Sequence, residues 1–492
     1  MSDQSSGVTD RQGSILVVDI GTSGVRGAIV HADATVAVSH HRSVLPSSPA
    51  PGLVEFDPLE LAEAALGVAR AALADGGPVD AVGITNQRAS TVVWDRATGE
   101  PVGPGLGWQD LRTVGDCLVW QAEGLRFAPN QSATKIAHLL DLADPDRRRE
   151  LCVGTVDSWI AWNLSGDSLH VTDPSNVAVT GLCTGDGGDW DDRVLEALRI
   201  PRRSLPRIVD TSGIVGRADA LDGGPPIAAL VGDQQASLVG QGCVLPGTAK
   251  ITFGTGGMLD VCVGPDRPAG THQGEHGTFP IVAWRRDGQT MWGVEAIMLA
   301  AGSNVEWLRD DLGILDNAEQ SHQVAASCET SDGVVYVPAL LGLGTPRWDY
   351  GARGTLLGVT RGTGRPQLVR AVLEGVAQRG ADLVEAAEAD TGLSLPRLRV
   401  DGGMSDNPTF VQAVADATQR VVEVSPEREA TTLGAGFLAG LAVGTWSGWD
   451  ELAATWRPRA TVEPSRTLDR DRWRDAIERA AGWEPDLSAI KF

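Results

Sequence analysis

The sequence predicts an α/β protein built from two similar domains with a cleft between them. Apolar segments of strand length alternate with segments of helical pattern along most of the chain, the order typical of α/β folds. An apolar strand followed by a Gly-Thr turn occurs near residue 19 and again near residue 253, and each opens a stretch of similar length. We therefore expect one domain over residues 14–244 and a second over residues 245–485, after a disordered leader of residues 1–13. A single large sheet is the alternative.

The local signals follow in chain order. Residues 15–20 and 25–30 are apolar runs separated by a Gly-Thr-Ser-Gly turn, which predicts two buried strands joined by a tight loop. Asp57 and Pro58 are typical of a helix start, and the alanine-rich segment after them predicts a helix to about residue 74. Residues 81–85 and 91–94 are predicted strands around the loop of residues 86–90.

Composition excludes several classes of partner. The net charge of −23 disfavours nucleic acid, whose phosphates require clustered Lys and Arg. No apolar run reaches the ~18 residues that span a bilayer, and residues 1–11 lack an apolar signal core. Six cysteines without CxxC spacing indicate reduced thiols. We expect a cytoplasmic protein without a nucleic-acid or membrane partner, in which the three lysines reflect compositional bias only.

The first Gly-Thr turn is a candidate phosphate loop. Its glycines let the backbone approach a ligand, and loop amides together with the hydroxyls of Thr22 and Ser23 can bind phosphate oxygens. Asp19, at the end of the preceding strand, is suited to hold Mg²⁺ through water, because Mg²⁺ keeps several waters and few carboxylates. The alternative is an ordinary hairpin turn with a capping aspartate.

Two later glycine-rich turns extend this pattern. Phe253-Gly254-Thr255-Gly256-Gly257 repeats the first loop, although neither loop is a Walker motif. The segment from Asp401 to Asn407 joins an apolar strand to a predicted helix beginning at Pro408. Its paired glycines allow close contact with a ring or a phosphate, and Asn407 is placed to bond an adenine or ribose edge. A plain turn capped by Asp406 or Asn407 is the alternative.

Asp233 is the candidate base. A carboxylate beside an acceptor hydroxyl orients it and takes its proton late in phosphoryl transfer, and the amide of Gln234 is suited to bond a neighbouring hydroxyl. The alternative is that Asp233 only caps the following helix. Arg88 and Trp108 are candidates to bind and shelter a polyol, by a fork of donors and by a ring face. Taken singly, they also fit a surface ion-pair partner and a core aromatic.

Together and in order, these motifs resemble those of the FGGY carbohydrate kinases, most closely the glycerol kinases. The resemblance runs from Ile15 to about Leu452. Its most specific segments are Gly83-Ile84-Thr85-Asn86-Gln87-Arg88, Trp108-Gln109-Asp110-Leu111-Arg112-Thr113, Gly232-Asp233-Gln234-Gln235-Ala236, Gly342-Leu343-Gly344-Thr345-Pro346-Arg347-Trp348-Asp349 and the signature between Gly354 and Glu374.

The resemblance implies two actin-like (ribonuclease H-like) ATPase domains with ATP and substrate in the cleft between them. It implies Asp233 as the base, with Asp19 and Asp233 holding Mg²⁺ through water. The acceptor would contact Arg88, Trp108, Asp233 and Gln234. The nucleotide would be bound by Thr22, Ser23, Arg26, Thr255, Gly256, Gly302, Gly403 and Asn407.

Four positions depart from the glycerol kinase pattern. Ala89 stands where glycerol kinases carry a glutamate, Asn130 where they carry a tyrosine, and Met258 where they carry a phenylalanine; Glu306 replaces a glutamine in the nucleotide cleft. Two of the three acceptor-site changes remove an aromatic ring. A site that bonds one hydroxyl pattern discriminates against others. We therefore expect a substrate longer than glycerol, such as a tetritol, a pentitol or a ketose.

The principal expectation is ATP-dependent phosphorylation of a terminal hydroxyl of a small polyol or sugar. Glycerol kinase proper, making glycerol 3-phosphate, is the first alternative. A non-catalytic actin-like nucleotide sensor is the second, and retention of Asp19, Thr22, Thr255 and Asp233 disfavours it. The oligomeric state is left open between a homodimer and a homotetramer.

Overall fold

The computed structural model describes residues 13–185, 187–270, 272–426 and 429–490. Strands and helices alternate through both halves, so the predicted α/β class is confirmed. The predicted leader lies outside the described residues except for Gly13. All six cysteines are described, and each is a free thiol. No helix within the described ranges is both long and apolar enough to cross a membrane.

The first half contains twelve strands and seven helices in the described ranges. Its strands are β1 (Ser14–Ile20), β2 (Gly24–His31), β3 (Val36–Ser43), β4 (Glu55–Phe56), β5 (Ala81–Asn86), β6 (Thr91–Asp95), β7 (Gly105–Leu106), β8 (Leu151–Thr155), β9 (Val171–Thr172), β10 (Arg207–Ile208), β11 (Ser212–Arg217) and β12 (Pro226–Gly232). Its helices are α1 (Pro58–Gly76), α2 (Val114–Ala122), α3 (Ala133–Ala143), α4 (Val156–Leu164), α5 (Pro174–Val177), α6 (Asp192–Ala197) and α7 (Asp233–Gly240).

The second half continues the alternation with longer helices. Its strands are β13 (Ala249–Phe253), β14 (Gly257–Gly264), β15 (Phe279–Arg286), β16 (Gln289–Met298), β17 (Val335–Val337), β18 (Thr355–Leu357), β19 (Arg397–Asp401), β20 (Val421–Val424) and β21 (Ala460–Val462). Its helices are α8 (Ser303–Glu306), α9 (Gln320–Ala326), α10 (Arg365–Thr391), α11 (Pro408–Thr418), α12 (Ala430–Val443), α13 (Trp449–Thr455), α14 (Arg470–Ala480) and α15 (Pro485–Ser488).

The two halves repeat the same strand arrangement. In the first, β1 pairs antiparallel with β2 and parallel with β5; in the second, β13 pairs antiparallel with β14 and parallel with β19. Their strands nevertheless form one sheet, in the order β21-β20-β19-β13-β14-β16-β15-β11-β12-β5-β1-β2-β3. The halves meet in this sheet at one residue pair, Ser212 with Arg286. The repeat that the sequence predicted is therefore present within a continuous sheet.

The register of the first half brings three chain segments to one edge. Strands β1, β5 and β12 run parallel, with Ile20 opposite Asn86 and Gly232 opposite Asn86. The loops that follow these strands therefore leave the sheet side by side. This edge collects Asp19, Arg88 and Asp233, which lie far apart in the sequence.

Helix α12 belongs to the second half of the chain but packs on the first. It contacts β1, β5, β12 and α7. The contact with α7 is close enough to require glycine: a Cβ added to Gly434 would lie 1.8 Å from the Ala236 carbonyl oxygen, and one added to Gly240 would lie 1.9 Å from the Ala430 carbonyl oxygen. The division at residues 244 and 245 remains a prediction, and the second half supplies part of the first half's core.

Candidate active site

Asp19 stands beside the first glycine-rich loop, at the end of β1. The loop is closed by a hydrogen bond from the Gly21 N–H to the Gly24 carbonyl, 2.9 Å long. Burial raises the pKa of Asp19 to about 6, although the guanidinium of Arg26 lowers it; the nearby charge of Asp233 raises it further. A cation placed between the two carboxylates favours the charged form of Asp19 and lowers its pKa. Thr432 of α12 also donates to Asp19 Oδ2, at 3.3 Å.

A chain of hydrogen bonds ties this loop to the wall that carries Trp108. Gln87 Nε2 donates to the Gly21 carbonyl at 3.1 Å, and Ser90 Oγ donates to Gln87 Oε1 at 3.0 Å. The Trp108 N–H donates to Ser90 Oγ at 3.0 Å, and its indole N–H reaches Thr22 Oγ1 at 3.3 Å. Trp108 is 37% exposed, so it is not a core aromatic. Gln87 and Ser90 hold the loop in place, a role that sequence reasoning did not assign.

Asp233 is the first residue of α7, and Gly232 occupies the capping position. The carboxylate therefore does not serve as the helix cap; Oδ1 accepts only the N–H of Gln234, at 2.8 Å. Its side chain is 33% exposed. The surrounding protein raises the pKa of Asp233 by desolvation, and Arg88 partly offsets this. The backbone of Gly232 is fixed by a hydrogen bond, which its N–H donates to Ser175 Oγ at 2.8 Å.

Arg88 connects Asp233 to the second half of the molecule. Its Nη2 donates to Glu295 Oε2 at 2.7 Å, and its Nε lies 3.6 Å from Asp233 Oδ1. The side chain is only 11% exposed, so the ion pair is buried at the site and is not a surface pair. Gly232 makes room for it, since a Cβ there would lie 2.8 Å from Arg88 Cγ and Cδ.

Two lysines given no function from the sequence are buried here. Lys250 Nζ donates to Gln234 Oε1 and to Thr252 Oγ1, each at 3.0 Å, and lies 2.8 Å from Asp260 Oδ2. Lys135 Nζ donates to the Trp108 carbonyl at 3.1 Å, and burial lowers its pKa to about 8. Compositional bias is therefore the wrong interpretation for both. The third lysine, Lys491, lies outside the described residues.

The second glycine-rich loop joins β13 to β14 and is stacked against the start of α8. The N–H groups of Ala301 and Gly302 donate to the carbonyls of Thr255 and Gly254, each at 2.8 Å. A Cβ on Gly302 would lie 2.6 Å from the Gly254 oxygen, and one on Gly256 would lie 2.9 Å from the Met298 oxygen. Thr255, Gly256 and Gly302 thus lie together, and their contact with a nucleotide stays a prediction.

The third loop follows β19, which lies parallel to β13 with Asp401 opposite Thr252. Here the capping alternative is realised: Asn407 caps α11 by accepting the Phe410 N–H at 3.1 Å, and its amide donates to Ser321 Oγ at 2.9 Å. Gly403 differs, because a Cβ added to it would meet no atom within 4 Å. Open space at a backbone beside two glycine-rich turns suits the approach of a flat ring or a phosphate.

Two of the predicted phosphate-binding residues make contacts within the protein. Arg26, opposite Asp19 on β2, forms an ion pair with Glu429 just before α12. Ser23 is exposed, and its carbonyl accepts the Val44 N–H at 3.1 Å. Their contact with a nucleotide stays a prediction.

The donor set fits Mg²⁺ held through water. Within the described ranges no three His, Cys, Asp or Glu side chains lie close enough to form a metal cage. Asp19 and Asp233, two carboxylates near enough for the charge of Asp233 to raise the pKa of Asp19, suit a cation that keeps most of its waters and takes its other ligands from phosphates. The raised pKa of both acids is the observation that supports this fit.

Comparison with known proteins agrees with the motifs. Residues 14–240 match the N-terminal domain of the FGGY family of carbohydrate kinases, and residues 249–443 match its C-terminal domain. A glycerol kinase of Aromatoleum aromaticum is 42% identical over 494 residues, covering 95% of this chain and 99% of the relative.

Solved structures share the fold. The crystal structure of Plasmodium falciparum glycerol kinase with ADP superimposes with a TM-score of 0.89 at 27% identity, covering 98% of this chain and 99% of that one. A xylulose kinase from Rhodospirillum rubrum, at 23% identity, has the same fold, with a TM-score of 0.84 over 96% of this chain and 99% of its own. The predicted actin-like two-domain architecture is confirmed. The chain belongs to the FGGY family of carbohydrate kinases.

Proposed function

We propose that the protein transfers the terminal phosphoryl group of ATP to a terminal hydroxyl of a small polyol or sugar, with Asp233 as the base. The observation that carries this proposal is the position of the Asp233 carboxylate. It opens α7 at the strand edge that also holds Asp19 and the first glycine-rich loop. It is partly exposed, and it faces Arg88.

The assigned roles follow from this arrangement. Phosphoryl transfer needs positioned groups and neutralised charge more than covalent chemistry. Asp233 accepts the hydroxyl proton as the bond to phosphorus forms, and its raised pKa makes it a better proton acceptor than an exposed aspartate. Arg88 and Gln234 orient the acceptor, and Trp108 covers it. Asp19 and Asp233 would hold Mg²⁺ through water, and its charge would neutralise the phosphates of ATP. The loops at Thr22 and Thr255 offer their amides to phosphate oxygens.

The acceptor is proposed to be longer than glycerol. Ala89 has no side-chain polar group and adopts φ 64°, Asn130 is exposed, and Met258 is only partly buried on β14. These positions leave the acceptor wall without two rings and one carboxylate found in the glycerol kinases. Glycerol is the second candidate, because relatives about 40% identical over nearly the whole chain are glycerol kinases. A profile of kcat/KM over glycerol, tetritols, pentitols and ketoses separates the two.

The base is tested by Asp233→Asn, with Asp116→Asn on the exposed face of α2 as the matched control. Removing a general base typically costs 10²–10⁴-fold, so we expect kcat to fall by about that factor. ADP affinity should stay within a few-fold of wild type. A phosphorylation rate equal to that of the control variant would show that Asp233 is not the base. Absence of phosphorylation in the wild type across the panel, with nucleotide still bound, would favour the sensor alternative.

The proposal extends to the setting in which the protein works. It comprises a cytoplasmic location, the lack of nucleic-acid and membrane partners, and a homodimeric or homotetrameric state. The charge of −23 and the free thiols support the first two of these properties.

A further inference from the structure

A row of buried charges crosses three strands behind the acceptor residues. Lys250 on β13 lies opposite Asp260 on β14, and Asp260 lies opposite Glu295 on β16. Residues directly opposite in antiparallel strands project from the same face of a sheet, so the three side chains stand next to one another. All three are buried. Three ionisable groups in one row are unusual in a core, where charges are kept only when paired or used.

This row is continuous with the acceptor side of the site. Glu295 receives the 2.7 Å hydrogen bond of Arg88, and Lys250 donates to Gln234 at 3.0 Å. Charges are unequal across the cluster: its three carboxylates belong to Asp233, Asp260 and Glu295, and its two cations are Arg88 and Lys250. Phosphoryl transfer as proposed uses Asp233, and Glu295 and Lys250 anchor the two acceptor-binding side chains. Asp260 neutralises the buried Lys250 but, among the described residues, makes no hydrogen bond to an acceptor-binding side chain.

Asp260 also has unused hydrogen-bonding capacity. Its Oδ2 forms an ion pair with Lys250 Nζ at 2.8 Å, but neither carboxylate oxygen has a well-directed hydrogen bond from the described residues. Arg88 Nη1 is likewise buried without a partner in the described part of the chain. An unsatisfied carboxylate and an unsatisfied guanidinium N–H in the same cluster match a hydroxyl group, which donates once and accepts twice. Buried polar atoms in native structures are rarely left unpaired unless a ligand or a water completes them.

Met258 occupies the neighbouring row on the same face. It precedes Asp260 by two residues on β14 and lies opposite Thr252 and Ile297. Its side chain is only partly buried, and an unbranched methionine adapts to ligands of different shape. An adaptable residue thus neighbours Asp260 on the face of the sheet that carries the row of buried charges.

We infer that Asp260 is a specificity-determining residue of the acceptor site, and that it selects uncharged polyols or sugars of four or more carbons. This inference rests on the proposed function. The reacting end of the acceptor is held at Asp233, and a hydroxyl further along its chain donates to Asp260 and accepts from Arg88. Glycerol is too short to supply that hydroxyl. A sugar acid is disfavoured, because its carboxylate would add to a cluster that already carries one excess negative charge.

The test compares acceptors within each enzyme. Wild type and Asp260→Asn are assayed with glycerol, erythritol, ribitol, xylulose and gluconate, and ADP binding is measured on the same preparations. We expect wild type to prefer an uncharged acceptor of four or five carbons. In Asp260→Asn, kcat/KM for this preferred acceptor, divided by kcat/KM for glycerol, should fall about 10²-fold. The kcat/KM for gluconate, divided by that for glycerol, should rise about tenfold. If Asp260 had a merely structural role, kcat/KM would fall by the same factor for all acceptors.

A second variant keeps the test decisive if Asp260→Asn does not fold. Met258→Phe changes a partly exposed residue and narrows the path to Asp260, so the longer acceptor should lose at least tenfold relative to glycerol. A parallel loss over all acceptors would overturn the assignment. Wild-type preference for glycerol over every longer acceptor would refute the substrate class while leaving the kinase intact. Failure to phosphorylate any acceptor, with ADP still bound, would refute the proposed function itself.

Discussion

Gly434→Ala should separate α7 from α12 and thereby displace Asp233, the proposed base. The added Cβ would lie 1.8 Å from the Ala236 oxygen, whereas side-chain Cβ atoms essentially never come closer than 3.0 Å to another heavy atom. Relief requires the helices to part by 3.0 − 1.8 = 1.2 Å or more. The Ala236 oxygen belongs to the backbone and a Cβ is fixed directly to the backbone, so no side-chain rotation can relieve the clash. The move is transmitted to Asp233, three residues before Ala236 on the same helix.

The magnitude follows from two opposed effects. Replacing glycine by alanine inside a helix favours folding by about 0.5–1 kcal/mol, and overpacking costs about 1–3 kcal/mol or more. With a backbone clash we expect a net loss of about 3 kcal/mol, which lowers the Tm by roughly 6 °C at ~2 °C per kcal/mol. A displacement of ~1 Å at reacting groups costs about 10²-fold, so kcat should fall by that order.

Gly67→Ala is the matched control. Gly67 lies inside α1, is exposed, and its added Cβ would meet no atom within 4 Å. Only the helix-propensity gain remains there, so its Tm should rise by about one or two degrees with kcat unchanged. Differential scanning fluorimetry and steady-state kinetics on the two variants give both numbers. If Gly434→Ala matched Gly67→Ala in Tm and kcat, the close contact of α7 with α12 would not be what positions Asp233.

Two further predictions concern the nucleotide side. Gly403→Ala should keep the wild-type Tm, because its Cβ meets open space. It should raise the KM for ATP about tenfold if a nucleotide approaches that backbone. Gly402→Ala should instead lower the Tm, because Gly402 has φ 84° and its Cβ would lie 2.5 Å from the Phe253 oxygen. With the pKa of Asp19 at about 6, kcat/KM for Mg-ATP should fall about tenfold per pH unit below pH 6. The same raised pKa means that the folded metal-free chain binds more protons than the unfolded one between pH 4 and 6, so its stability should rise as pH falls through that window. A flat pH profile, or equal Tm for both glycine variants, would contradict these assignments.

The features that could be predicted from the sequence are those that depend on a few consecutive residues. The turns at Thr22 and Thr255, the strand end at Asp19 and the helix start at Asp233 each depend on local patterns, and all four were placed correctly in the fold. Asn407 shows the limit of such patterns, because a cap and a ligand contact call for the same residue type. The structure shows the cap.

What sequence reasoning missed depends on pairing between strands. Lys250, Asp260 and Glu295 meet because of the register of β13, β14 and β16, and a one-residue slip would put each on the other face. No local signal fixes that register. Thr432 reaches Asp19 across 413 residues of sequence, and only the glycine-rich pattern of α12, with Gly434, Gly436 and Gly440, hinted at a close helix contact.

Helix α12 also sets the order in which the molecule can be completed during synthesis. Strands β1, β5 and β12 leave the ribosome early, yet much of one of their faces is packed against a helix that begins at Ala430. Until that helix emerges, the half of the protein that holds Asp19 and Asp233 carries an open apolar face, a state that exposes a chain to aggregation and chaperone binding. The proposed Mg²⁺ site is therefore completed late in synthesis, although Asp19 and Asp233 are made early.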